Sequence, residues 1–145
     1  MEKREEAEAW ERYDLILNIV NKYGGKKKEV FGRLIQELVA KCAEYIKTVR
    51  TMVSFTQIER FRLEPEEYQA GLTERDSRRR AAHNALIAQL HIVNRNLLAE
   101  KALKAKIPVG GIYSLDPRTM EDRRAIGTWA GYLIGALARR GIVSP

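Results

Sequence analysis

The sequence predicts an all-α fold, a single-domain bundle of about four long helices and a short one over residues 1–145, on three observations. Apolar residues recur at three- and four-residue steps through most of the chain. Glycine pairs and prolines fall between those stretches rather than inside them. No run alternates apolar and polar residues long enough to argue a strand.

The first helix is expected over about Glu5 to Lys22, with Trp10, Tyr13, Leu17 and Val20 as its buried stripe and Glu2, Glu5, Glu6 and Glu8 near its positive end. After Gly24-Gly25, a second helix is marked by Phe31, Leu34, Ile35, Leu38, Cys42, Tyr45, Ile46 and Val49. Whether residues 50–62 continue it is left open, because Thr51, Val53, Thr56 and Ile58 lower helix propensity without forbidding it. A short segment is expected from Pro65 to Gly71, with Glu66 and Glu67 in its first turn. Thr73 and Asp76 then have the spacing of a capping box, and a third long helix follows to about Lys104. The last is expected from about Met120 to Arg140, its start marked by Asp116-Pro117 and by Thr119 with Asp122, its end by Gly141. Helices of this length with short connections suggest a bundle around one core.

Composition narrows the class. With 145 residues, 45% apolar and 31% charged, the chain is ordinary globular material. The lone Cys42 excludes an internal disulfide framework and a zinc site built from several thiolates. Met1 to Arg12 is too charged for a secretory leader, and the apolar run Ala125 to Ala138 is too short to span a bilayer. The expectation is a cytoplasmic protein with no membrane association, no metal and no cofactor.

Charge is unevenly spread. Residues 1–72 carry 13 basic and 13 acidic side chains, whereas residues 73–145 carry 13 and 6, so the net +7 lies in the second half. Ten of the latter cations are arginines, whose planar fork suits phosphate and carboxylate. This points to an anionic partner, although no zinc finger, aromatic RNA-binding motif or helix-turn-helix supports nucleic acid in particular. The plainer reading is a solvated surface whose arginines pair with nearby acids, as Asp76 and Arg80 could at i,i+4. Lys26-Lys27-Lys28 precede a helix start, where an anion could sit; lysines pointing into water are the simpler account.

The third long helix has two apolar flanks: Leu86, Leu90, Val93 and Leu97, and Ala81, Ala85, Ala88, Ile92, Ala99 and Leu103. Such a helix is expected at the centre of its bundle. Between the flanks runs a mainly polar row of Asp76, Arg80, His83, Asn84, Ile87, His91 and Asn94; Arg78, Gln89 and Asn96 lie opposite. Buried polar groups need partners, at a cost of about 1–3 kcal/mol each when they lack them. The row is therefore an interhelix network or plain exposure in the first instance, and a ligand-lining cleft in the second. The ligand-binding candidates are Asp76, Arg80, His83, Asn84, His91 and Asn94, with Asp122 and Arg123 at the start of the last helix closing over them. No catalytic residue is assigned. His83 and His91 stand about 12 Å apart along one helix, too far to share a metal ion.

Gly127, Gly131 and Gly135 repeat every four residues beside Ala130, a groove suited to close packing inside the bundle and, as the less favoured use, to a homo-oligomer seam. The expected function is non-catalytic binding of an anionic partner through the arginine-rich C-terminal half. The alternative is a small-ligand-binding protein or enzyme with a polar cleft around Arg80 and His83.

Asp76…Arg80…His83-Asn84, Pro108-Val109-Gly110-Gly111-Ile112-Tyr113-Ser114, and Asp122-Arg123 leading to Ile126-Gly127…Trp129-Ala130-Gly131-Tyr132 resemble a family of small uncharacterised bacterial proteins. The resemblance covers about the second half of the chain. It implies a bacterial source and transfers no functional residues.

Overall fold

The computed structural model describes residues 1–107 and 123–144. Its helices are α1 (Arg4–Tyr23), α2 (Lys28–Glu59), α3 (Pro65–Ala99), the single turn α4 (Lys101–Lys104) and α5 (Arg123–Arg139); no strand occurs among the described residues. The fold is the all-α bundle that the apolar spacing predicts.

The break between α1 and α2 is made by two glycines for two reasons. Gly24 caps α1 through its N–H to the Val20 carbonyl, and a Cβ there would stand 2.4 Å from that oxygen. Gly25 has φ of 57°, which a side chain would strain. A 3-10 turn over Gly25–Lys27 then leads directly into α2. Lys27 meets Glu100 at 2.5 Å, so a carboxylate of the α3–α4 junction supplies the negative charge that the lysine run lacks locally.

Residues 50–59 do continue α2. The threonines that weaken the propensity are accommodated by turning their hydroxyls onto the preceding turn: Thr48 donates to the Tyr45 carbonyl at 2.6 Å, Thr51 to Lys47 at 2.9 Å and Thr56 to Val53 at 2.7 Å. Pro65 opens α3 at its first turn, with Glu66 and Glu67 beside it.

The expected stop at Gly71 and restart at Thr73 are corrected: α3 runs unbroken through both. Gly71 lies against the Phe55 ring, where a Cβ would approach Cζ to 2.5 Å. Phe55 is in turn stacked on Tyr68 at 5.4 Å and covered by the Arg75 guanidinium at 4.0 Å. Packing of this kind outweighs the ~1 kcal/mol by which glycine weakens a helix. The far end also differs, since Glu100 is extended (φ −90°, ψ 117°) and detaches α4 from α3. The expected caps at Asp116-Pro117 and Thr119/Asp122 lie outside the described residues, whereas Gly141 ends α5 with φ of 71°.

The core joins Ile16 and Val20 of α1, Ile35 and Leu38 of α2, Leu86, Leu90, Val93 and Leu97 of α3, Leu103 of α4, and Leu133 and Leu137 of α5. Cys42 is fully buried among them, and burial pushes its thiol far above the usual range, as suits an inert core residue. The α1 stripe is rotated from the expected one. Ala9, Ile16, Ile19 and Val20 are buried, while Trp10, Tyr13 and Leu17 are only partly so. The large amphipathic rings sit at the edge, where Trp10 takes the Arg140 guanidinium at 4.5 Å.

Centrality also shifts from the expectation. It is α2 that packs on α1, α3 and α5, whereas α3 lies chiefly against α2. The Leu86/Leu90/Val93/Leu97 flank is buried throughout; of the other, Ala81, Ala88 and Ala99 are exposed, Ala85 and Ile92 are half-buried, and Leu103, carried on α4, joins the core. An alanine-rich face buries too little apolar area to compete for a second partner.

Candidate functional site at the α2–α3–α5 corner

Three helices meet beside the first turn of α5. Tyr45 of α2 stacks on His83 of α3, ring centroids 4.8 Å apart and planes 27° from parallel. Gly127 of α5 makes room for this pair: a Cβ there would lie 2.8 Å from the Tyr45 hydroxyl oxygen and 3.3 Å from the ring. From α3, Asp76 accepts two hydrogen bonds from Arg79 at 3.1 and 2.9 Å and faces Arg80 at 3.1 Å. Arg79 also reaches the Tyr45 hydroxyl. Arg123 crosses from α5 to donate to the Asn84 side-chain oxygen.

The electrostatics follow from these contacts. The Arg79 hydrogen bond, against the opposing effect of desolvation and with the charges of Arg79 and Arg80 added, holds the Asp76 carboxyl below its usual range. The same bond to Asp76 raises Arg79. His83 is only 7% exposed. Burial lowers its imidazole from the ordinary value of 6.5, a hydrogen bond with the Arg123 backbone opposes this, and the charges of Arg123 and Arg79 lower it further. Its Nε2 is buried and makes no hydrogen bond among the described residues. A neutral imidazole with one idle nitrogen therefore lies beneath a rim of guanidinium groups.

The polar row divides at this corner. Asp76, Arg80, His83, Asn84 and Arg123 come together around Tyr45 and Arg79. His91 lies two turns further along and is exposed, so it shares no site with buried His83; Asn94 is half-buried beyond it. Asp122 is outside the described residues. Along the row, His83 is buried, Asp76 and Asn94 are half-buried, and Arg80, Asn84 and His91 are exposed, so plain exposure describes much of it. On the opposite side Gln89 is buried and donates to the Leu34 carbonyl at 3.0 Å, a register-fixing bond between α3 and α2.

Two members of the corner are not in the sequence-derived row. Tyr45 reads as one more ring in the apolar stripe of α2, and Arg79 lies at the edge of the row, about 60° round the helix from Asp76. The i,i+3 spacing of Asp76 and Arg79 is the local signal for the second; nothing local marks the first.

Elsewhere several arginines are engaged within the chain. Arg78 pairs with Glu74 at 2.5 Å, Arg139 with buried Glu6 at 2.9 Å, and Arg140 with Glu2 at 2.6 Å. The α5 glycines likewise meet same-chain side chains: a Cβ on Gly131 would lie 3.6 Å from Ile46, and one on Gly135 would come within 2.9 Å of Glu6. Among the described residues, no cluster of three or more His, Cys, Asp or Glu could hold a metal ion, and no helix is long and apolar enough to cross a membrane.

The model of a family described as "Protein of unknown function (DUF3232)" matches residues 1–140 of this chain, well beyond the half that carries the motif resemblance. No curated protein matches it.

Proposed function

Because the chain belongs to the DUF3232 family, whose function is unknown, we propose its role from its own residues: it is a non-catalytic binding protein that receives an anionic group of its partner at the α2–α3–α5 corner. One observation carries the reading. Arg79 and Arg80 share the single carboxylate of Asp76, while Arg123 is met by the neutral amide of Asn84. The contacts described there leave positive charge in surplus, and guanidinium forks are the side chains best shaped to take a phosphate or carboxylate. Arg80, with 64% of its side chain exposed, can turn to a ligand without breaking the Asp76–Arg79 bond. The expected setting is the bacterial cytoplasm.

The test is retention on immobilised heparin. The wild type is expected to elute at a salt concentration that falls clearly when Arg80→Gln and Arg123→Gln are combined, because each phosphate-like contact adds about one unit to the salt slope. Elution indifferent to salt, or unchanged in the double variant, contradicts the reading.

A second reading, a small-ligand site or enzyme cleft around Arg80 and His83, rests on the unpartnered Nε2 of His83. It differs in requiring the imidazole to contact the ligand. Inorganic phosphate should then shift the His83 ring resonances, which the first reading does not require.

A further inference from the structure

The α2–α3 pair runs on past the shared core. In α2 the core residues and those packed on them end at Ile46, and in α3 they begin at Leu86, although the helices reach Glu59 and start at Pro65. Thirteen residues of α2 beyond Ile46 amount to about 20 Å of projecting hairpin. The projection has its own small packing unit, Phe55 with Tyr68 and Arg75. It also exposes large apolar side chains: Phe61 is 90% exposed, Ile58 54% and Val53 44%. A groove of about 510 Å³ runs along it from Arg50 and Arg75, past Phe55 and Ile58, to Glu59 and Leu63 near the tip.

Charge is polarised along the same projection. Residues 59–67, at the tip, carry four acids and two arginines. Residues 44–50 and 74–80, nearer the core, carry six cations and three acids. Some of these are paired locally, Arg62 with Glu59 at 3.6 Å and Arg78 with Glu74 at 2.5 Å. Glu64, Glu66 and Glu67 at the tip remain exposed.

We propose that the hairpin is a homodimer interface, with two copies packed antiparallel about a two-fold axis near Ser54, midway between the acidic tip and the basic mid-section. In that arrangement the acidic tip of each copy lies over the basic mid-section of the other. Phe61 of one enters the groove of its partner, and Glu64, Glu66 and Glu67 approach the partner's Arg50 and Lys47. A two-fold axis makes such a contact self-complementary, since every tip-to-groove interaction occurs twice. A parallel stack would place like charge on like. The footprint, about 20 Å by 20 Å on each copy, is below that of a stable specific interface and in the range of weak, transient ones, so ready dissociation on dilution is expected.

Sedimentation equilibrium across micromolar to submillimolar protein tests this. The wild type is expected to pass from monomer to dimer over that range, and Phe61→Asp to stay monomeric while keeping its helical circular dichroism. Lys47→Glu/Arg50→Glu and Glu66→Lys/Glu67→Lys should each self-associate at least tenfold more weakly, and a mixture of the two should recover a heterodimer. A wild type that is monomeric throughout overturns the proposal, as does a dimer that survives Phe61→Asp or a mixture that does not associate. Phe61→Asp leaves every cation in place, Arg79, Arg80 and Arg123 included, so heparin retention measured on that variant reads the anion site separately from self-association.

Discussion

Leu90→Ala is expected to lower the stability of the folded chain by about 3 kcal/mol, read as a shift in the midpoint of urea unfolding with little change in slope. Leu90 has no exposed surface and belongs to the flank of α3 that is buried throughout. Truncation removes three buried carbons from a contact between two helices that are each more than thirty residues long and cannot collapse locally around the hole. Ala88→Ser, two residues away at an exposed position of the other flank, is the matched control and should change stability by less than about 0.5 kcal/mol. Equal losses at the two positions would mean that α3 is embedded on both sides after all.

His83→Phe keeps an aromatic ring against Tyr45 and removes the unpartnered Nε2 but gives up the hydrogen bond to the Arg123 backbone, so the two effects should largely offset and stability at neutral pH should change by less than about 1 kcal/mol. The pH dependence gives a sharper signature. Burial lowers the His83 pKa in the folded chain below its ordinary 6.5, so the unfolded chain binds this proton first as the solution is acidified. Stability contributed by the neutral imidazole is therefore intact above about pH 6.5 and is lost as pH falls below that value, down to the folded-state pKa. Thermal unfolding midpoints of the wild type should fall from pH 7 to pH 5 more steeply than those of His83→Phe. Parallel profiles would show that His83 is not the group that titrates. Asp76 acts in a lower window: its depressed carboxyl stabilises the fold above its ordinary pKa of 3.8 and loses that effect at more acid pH.

Much of the fold is legible in the residue spacing, because a helix that buries one face must repeat near 3.6. The α2 stripe and the Leu86/Leu90/Val93/Leu97 flank of α3 follow it closely. The readings that depart do so where a distant contact decides. Gly71 has the chemistry of a helix stop, and only the Phe55 ring packed against it from α2 explains why the helix passes through. Gln89 has the chemistry of a solvent-facing residue until the Leu34 carbonyl is brought beside it. In α1, the larger Trp10 and Tyr13 suggest the buried face, yet the smaller Ala9 and Ile16 occupy it because the rings do better at a boundary.

The candidate site shows the same division. Asp76, Arg80, His83 and Asn84 are on one helix, and their spacing alone groups them. The place of Arg123 at the start of the last helix predicts that it closes over that row, and it bonds Asn84 across 39 residues. Tyr45 carries no such signal, since no local pattern distinguishes a core ring from one that stacks on a buried imidazole 38 positions away. Gly127 suggests a close approach by its place in the four-residue repeat, but not that a tyrosine is what approaches.

The most direct measurement of the anion-binding claim is a residue-resolved one: backbone and arginine side-chain NMR spectra recorded while a short heparin oligosaccharide is added. The account predicts that the largest shifts gather at Arg79, Arg80, Asn84 and Arg123, with the guanidinium signals of Arg80 and Arg123 moving most. Shifts centred instead on Lys26, Lys27 and Lys28, or spread evenly over exposed cations, would contradict it.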